Sequence, residues 1–405
     1  MKKSTKKLLL ATTLMATLVN STFALANQSA NITSATPETA PLDWSEVEQQ
    51  AKGQKVYFYA WGGSQQINDY LRWADKQLQK QYGVQLEHVK VDDISIAITR
   101  LLAEKATEKA TGTASKGTVD MLWINGENFK NMKQNQLITQ PFATQLPSWQ
   151  YVNTQFPVDS DFTEPTEGLE APWGIGQLIF IHDKQRTPTP PKSMQQLLSY
   201  AQQHPNKVSY PQPPSFHGTS FLKSALLELA TDTSPLYEEV DEKSFAKITQ
   251  PLWQYLDQLH PLAWHQGKQF PSSSAHTMQL LDDGELDLAI SFNPNEVSSA
   301  QNNGSLATTT DSYAMENGAL SNIHFLSIPF NANAKAGALV AINFLLSPEA
   351  QSKKGDLSQW GDPSILKTEY ISGSAANTKL FKSVPEPHPS WQVALEQEWQ
   401  KRYGH

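Results

Sequence analysis

The chain has 405 residues, no cysteine, 32 basic and 40 acidic side chains, and a formal charge of -8. The missing thiols exclude disulfides, thiolate metal sites, cysteine nucleophiles and a lipid-modified cysteine anchor, and the acidic balance speaks against nucleic acid and anionic membrane surfaces as partners. So long a chain exceeds one ordinary core and predicts two domains.

Lys2, Lys3, Lys6 and Lys7 precede an apolar run from Leu8 to Val19, and Ala24-Leu25-Ala26 supplies a small-residue cleavage site. Residues 1–26 are therefore predicted to be a cleavable secretory signal peptide. The run is too short and too often broken by threonine for a membrane span, which needs about 20 apolar residues. Its removal takes away four lysines and no acid, leaving 28 basic against 40 acidic residues and a charge near -12. An exported chain without a lipid tether points to the periplasm. Residues 27–43, rich in Ser, Thr, Ala and Pro, are expected to be a flexible leader.

A short helix is predicted from Trp44, then a buried strand over Val56–Trp61 with aromatic and β-branched content. Gly62-Gly63-Ser64 breaks it, and Ile67, Tyr70, Leu71, Ala74 and Leu78 recur at helical spacing. A second strand over Val84–Val91 leads to a helix carrying Ile94, Ile98, Leu101 and Leu102. After the polar loop Gly112–Gly117, a third strand begins at Val119 and ends in Asn125-Gly126-Glu127-Asn128, with a helix from Phe129. Strands alternating with helices predict a parallel sheet.

The stretch Pro141–Pro172 is loop-rich, and Ala171–Ile181 reads as one strand leaving the first domain for the second. Ser193 caps a helix over Met194–Gln203. Val208-Ser209-Tyr210 reads as a strand, followed by a turn through His217-Gly218 and a helix from Thr219. Further helices are expected over Phe245–His260, His276–Leu281, Lys335–Leu346, Ser352–Trp360 and Pro389–Tyr403, and strands over Leu286–Phe292 and Ile323–Phe330. Ser347-Pro348 is expected to end the Lys335 helix.

Three stretches, Val119–Leu137, Lys192–Phe221 and Ile328–Gln351, resemble the extracellular solute-binding proteins of ABC importers. The third carries the family's Ser-Pro-Glu-Ala-Gln segment, and the second resembles the branch described as thiamine transport binding proteins. The resemblance implies an α/β, two-lobed periplasmic-binding-protein fold of type II. Each lobe is a mixed, mostly parallel sheet flanked by helices, with the ligand cleft between them. Lobe 1 is expected from residues 44–172 and 300–350, lobe 2 from 173–299, and C-terminal helices from 351–405. The implied activity is capture of a small-molecule solute by a monomer, without catalysis, cofactor or metal, and delivery to permease subunits in the inner membrane.

Within that cleft, Trp61, Gly62, Gly63 and Ser64 offer an aromatic face and free N–H groups at a helix start. Asn125, Gly126, Glu127 and Asn128 stand at the carboxyl end of a buried strand, where a charge must find solvent, a partner or a ligand. Trp173 is placed at the hinge. Tyr210, His217, Gly218, Thr219 and Ser220 offer donors at the second helix start, and Phe292, Asn293 and Glu296 end a later strand. A plain turn, cap or core position explains each without a solute.

No Gly-x-Ser-x-Gly elbow, His-Glu-x-x-His helix or Walker loop occurs, and no two of the ten histidines stand at i, i+4. Nothing in the spacing brings His265 together with Glu285 or Asp287. A secreted hydrolase on a similar scaffold is the competing class. Tryptophans with Glu127 and Glu296 favour a flat or cationic organic solute, thiamine-like, with a carbohydrate or a polyamine as alternatives.

Overall fold

The computed structural model describes residues 41–114 and 116–404; the expected signal peptide and most of the leader lie outside the described residues. In β1 (Lys55–Trp61), Val56, Phe58 and Ala60 enter one core and Tyr59 enters another, so the strand is buried on both faces, as a parallel sheet covered by helices requires. α1 (Trp44–Ala51) leads into it, and β2 (Gln85–Val91) and β3 (Met121–Ile124) flank it in parallel. The crossovers are α2 (Gln65–Tyr82), capped by Ser64, and α3 (Ser95–Thr111). Behind β3 comes α4 (Glu127–Gln134), and a two-stranded hairpin, β4 (Ser160–Asp161) and β5 (Glu164–Pro165), lies before the crossing.

β6 (Glu170–Gln177) belongs to the large sheet, and after Leu178 the chain continues as β7 (Ile179–Asp183) in a separate three-stranded sheet. α5 (Met194–Gln203), α6 (Phe216–Leu229), α7 (Glu242–Leu259) and α8 (Ser274–Asp282) precede β8 (Leu288–Ser291), α9 (Glu296–Asn302) and β9 (Thr310–Tyr313). β10 (Ala319–Ser327) returns to the large sheet, antiparallel to β6 and β3 and parallel to β11 (Ser383–Pro385). α10 (Lys335–Leu345), α11 (Pro348–Lys354) and α12 (Ser390–Tyr403) complete the fold. Each sheet has its own hydrophobic cores, so the molecule is two-lobed, and α12 buries Trp391, Leu395 and Trp399 against the second lobe.

The single strand expected over Ala171–Ile181 is thus two strands in two sheets. The sheet assignments put Trp173 with the first lobe and residues 300–313 with the second, whereas the expected lobe limits fell at 172/173 and 299/300. No change of composition marks the passage at Leu178, because both strands are buried and apolar. The small sheet is antiparallel throughout: β7 is the outgoing strand, and β8 and β9 run back towards the crossing. Val208-Ser209-Tyr210 joins no strand; its carbonyl at Val208 accepts from Trp264 N at 2.9 Å. α6 starts three residues earlier than its apolar stripe suggests, because Ser215 caps it through Gly218 N.

Ser347-Pro348 ends one helix and at once begins another. The Ser347 hydroxyl caps α11 through Ala350 N, and the Ala350 carbonyl accepts from Tyr70 Oη at 3.3 Å. Gln351 is fully buried: its amide nitrogen donates to Trp173 O and Leu345 O, and its oxygen accepts from Ser364 Oγ and Ile365 N. The helix expected to run on to Trp360 stops at Lys354, whose ammonium turns inward to Asp362, and His324 Nε2 lies 3.1 Å from the same carboxylate oxygen. A Cβ at Gly174 would meet all three side chains, so only glycine lets β6 pass beneath them. Burial alone would raise the Asp362 pKa, but Lys354 and His324 more than offset it and hold the carboxyl below its usual value. Lys354→Met leaves that buried carboxylate with His324 as its one remaining side-chain partner, and a loss of about 3–5 kcal/mol is expected in urea unfolding at pH 7. A loss below 1 kcal/mol, as is typical of about any exposed pair, would contradict the reading.

Candidate functional site

The two lobes meet along a seam whose first wall is the carboxyl end of β3. Gly126 has a φ of +58°, and a Cβ there would meet the Phe162 ring at 2.7 Å, so this turn needs glycine on both counts. Its N–H donates to Asp161 Oδ2 at 2.6 Å. That bond pins the loop and sets Glu127 at the first position of α4, where Asn128 Nδ2 donates to its carboxylate at 3.0 Å. Burial lifts the Glu127 pKa to about 7; Lys223 pulls it down, while Glu396 and Asp93 push it up. Deeper in the same wall, burial raises Asp161 and Glu170 well above the carboxylate range, and neither Asp161 Oδ1 nor either Glu170 oxygen has a hydrogen-bond partner.

The facing wall is the start of α6. Gly218 is pressed against Pro211 O, where a Cβ would come within 2.2 Å, and the Thr219 hydroxyl donates to Glu396 Oε1 of α12 at 2.7 Å. One turn on, Lys223 is 1% exposed, and its ammonium lies 2.8 Å from Glu386 Oε2 and 3.2 Å from Gln392 Oε1. Asn322 Nδ2 of β10 donates to the other Glu386 oxygen at 3.0 Å. The Lys223 ammonium also stands 4.7 Å from the centre of the Phe162 ring and 5.9 Å from that of Phe216. Burial raises the pKa of Glu386 and Glu396 alike, with Lys223 pulling both down.

The structure sets Glu127 of the first wall within the electrostatic reach of Lys223 and Glu396 of the second, and Glu396 in turn accepts from the Thr219 hydroxyl. His217 is kept neutral, its pKa lowered to about 4 by burial, and shares an aromatic group with Phe216 and Phe292. Trp61 is 40% exposed at the end of β1, its indole folded over Gly63, while the Asn68 amide donates to Gly62 O. Ser64 is occupied as the cap of α2, and Ser220 bonds Phe216 O within its own helix. Asn125 O accepts from Asn128 N.

Four candidates are placed otherwise. Trp173 is wholly buried in the first lobe against Phe58, Tyr70, Trp123 and Trp360. Tyr210 stacks on Phe221 in the second core, and its hydroxyl meets His260 and Trp399. Asn293 donates to Trp360 O, tying the C-terminal segment to the loop after β8, and Glu296, at the start of α9, is raised by burial and accepts from Ser291 at the end of β8. His265 and Glu285, which no spacing joined, line one open depression of about 530 Å³ on the second lobe, with Trp264 Nε1 donating to Glu285.

Asp161, Phe162, Lys223, Glu386 and Glu396 were not singled out from the sequence. Lys223 alone carried a signal, a charge inside the apolar stripe of a helix. Phe162 and Thr163 turn the β4–β5 hairpin with φ of 44° and 73°, unusual for residues other than glycine and invisible in composition. Among the described residues no group of three or more His, Asp or Glu is arranged to hold a metal ion, and no helix is long and apolar enough to cross a membrane.

The profile of the bacterial extracellular solute-binding proteins matches residues 73–368. Protein YnjB of Escherichia coli (strain K12) is 44% identical over 373 residues, covering 90% of this chain and 95% of its own. The periplasmic binding protein AfuA of Actinobacillus pleuropneumoniae, solved with exogenous fructose-6-phosphate, aligns with a TM-score of 0.61 at 15% identity over 87% of this chain and 99% of its own. The spermidine/putrescine substrate-binding protein PotD of Streptococcus pneumoniae aligns at 0.58 and 14% identity over 87% and 96%. The last two share the fold, and their solutes differ in charge and shape. With its two sheets, its crossing strands and this profile match, the chain belongs to the bacterial extracellular solute-binding proteins.

Proposed function

We propose that the chain is the periplasmic receptor of an ABC importer, closing its lobes on a cationic organic solute and delivering it to permease subunits in the inner membrane. The observation that carries the reading is the charge along the seam. Glu127 from the first lobe and Glu396 from the helix packed on the second face one another's fields together with Asp93, while the buried Lys223 is already paired with Glu386. Like charges meeting in a low-dielectric gap repel, and a cation between them turns that repulsion into attraction. The solute's charge then adds to the stability of the closed form.

The half-exposed Trp61 indole adds a face for a flat cation, a contact worth about 0.5–2 kcal/mol. A thiamine-like solute fits both features, and a polyamine fits the carboxylates alone. A carbohydrate would leave the seam's charge uncompensated. A thermal-shift screen of thiamine, its phosphates, putrescine, spermidine and neutral sugars separates them. At a concentration 100 times the dissociation constant, the true solute stabilises the protein by about 2.7 kcal/mol. Stabilisation by a neutral sugar and by none of the cations would overturn the charge argument.

With the solute so identified, Glu127→Gln is expected to weaken binding about tenfold or more in calorimetry, the loss of a charged hydrogen bond of about 1.5–3 kcal/mol, with the melting temperature preserved. Unchanged affinity would remove Glu127 from the site. The same carboxyl sets a pH dependence, since burial holds its pKa at about 7 and a cation binds only the ionised form. Affinity should fall as pH drops from 8 to 6, and binding near pH 7 should release protons, read as a buffer-dependent enthalpy. Glu396 and Asp161, whose pKa values burial also raises, share that field and broaden the transition. Proton uptake would have the wrong sign.

A further inference from the structure

A side chain at the tip of a two-residue hairpin is ordinarily among the most exposed in a protein. Phe162, at the tip between β4 and β5, is 6% exposed. Its backbone carries the cost: Phe162 and Thr163 both have left-handed φ, which glycine, asparagine or aspartate would adopt more readily. The hairpin is fastened to the first lobe by its own polar contacts. Asp161 accepts from Gly126 N at 2.6 Å, and Lys133 Nζ donates to Pro165 O at 2.8 Å. From that base the ring lies over Gly126 and ends 4.7 Å from the Lys223 ammonium, which the second lobe holds in place through Glu386 and Gln392.

A second contact crosses nearby. Lys130 of α4, paired with Glu164 at 3.3 Å on its own side, reaches His388 Nε2 at 3.0 Å and Glu239 at 3.6 Å on the other. His388 is itself fixed to the second lobe through its N–H to Leu236 O.

We propose that Phe162 is an interlobe latch: its ring capping the Lys223 ammonium, with the Lys130 bridge beside it, holds the lobes closed before any solute arrives. The proposal rests on the solute-receptor reading but concerns the empty protein. It gives the left-handed turn a role, since the residue held in that conformation is the one whose ring reaches Lys223. It also divides the labour within the seam: Lys223 serves closure, while Glu127 and Glu396 are left to the solute. A latch of this kind raises the fraction of binding-competent protein and so the apparent affinity.

Small-angle X-ray scattering of the empty mature protein tests the latch without any knowledge of the solute. Phe162→Gly removes the ring at a position whose φ suits glycine, so the hairpin loses no backbone conformation. Phe162→Leu keeps an apolar side chain and loses the aromatic face. The wild type is expected to scatter as the closed form, with Phe162→Gly shifted to a larger radius of gyration and Phe162→Leu between the two. Loss of the cation–π contact lowers the closed-to-open ratio about two- to thirtyfold. Curves for both variants that superimpose on the wild type, or an open wild type, would overturn the latch. Either result leaves the solute screen untouched, and a failed screen leaves the scattering result standing.

Discussion

Carboxylates resist burial, and the seam between the lobes of this protein contains several of them. The oxygens of Glu170 and one oxygen of Asp161 find no donor, and burial raises the pKa of Glu127, Asp161, Glu170, Glu386 and Glu396 together. Such a region lowers stability unless something positive compensates it. Lys223 supplies part of that compensation, bound to Glu386, which is held in turn by Asn322 of the crossing strand β10. The surplus is what distinguishes the seam from an ordinary buried ion pair.

The architecture keeps that surplus in place. β6 and β10 run antiparallel to each other in the large sheet and both continue into the second lobe's side of the molecule, so the lobes are joined by paired strands. The C-terminal segment then passes over the joint. Asp362 answers Lys354 and His324 in the first lobe, Asn293 holds Trp360 O from the second, and α12 finally carries Glu396 to the Thr219 hydroxyl. A tail that packs in this way is part of both walls. Its acidic groups reach the seam because the apolar side of α12 is committed to the second core through Trp391, Leu395 and Trp399.

Local pattern made much of the fold legible. The aromatic and β-branched run at Val56–Trp61, the helical spacing from Ile67 to Leu78, the Ser193 cap and the Ser-Pro-Glu-Ala-Gln segment each correspond to an element in the expected place. Glycine turns after β1 and β3 marked the edge of the first wall for the same reason, since a chain that leaves a buried strand and enters a helix within a few residues needs them. Trp173 and Tyr210 misled because a large aromatic residue at a strand end has the same local sequence whether it borders a cleft or fills a core. In both cases a neighbouring cluster of rings, remote in sequence, had already claimed the side chain.

The sequence by itself determined the α/β class, most of the element order, the export signal as an expectation and the family to which the chain is similar. The class and the element order follow from periodicity, caps and turns within about twenty residues. Only the tertiary structure decided which charges meet. Asp161 and Gly126 are 35 residues apart, Lys223 and Gln392 169, and Thr219 and Glu396 177. Electrostatic energy depends on separation in space and on exclusion of water, and neither is written in the spacing of residues along the chain.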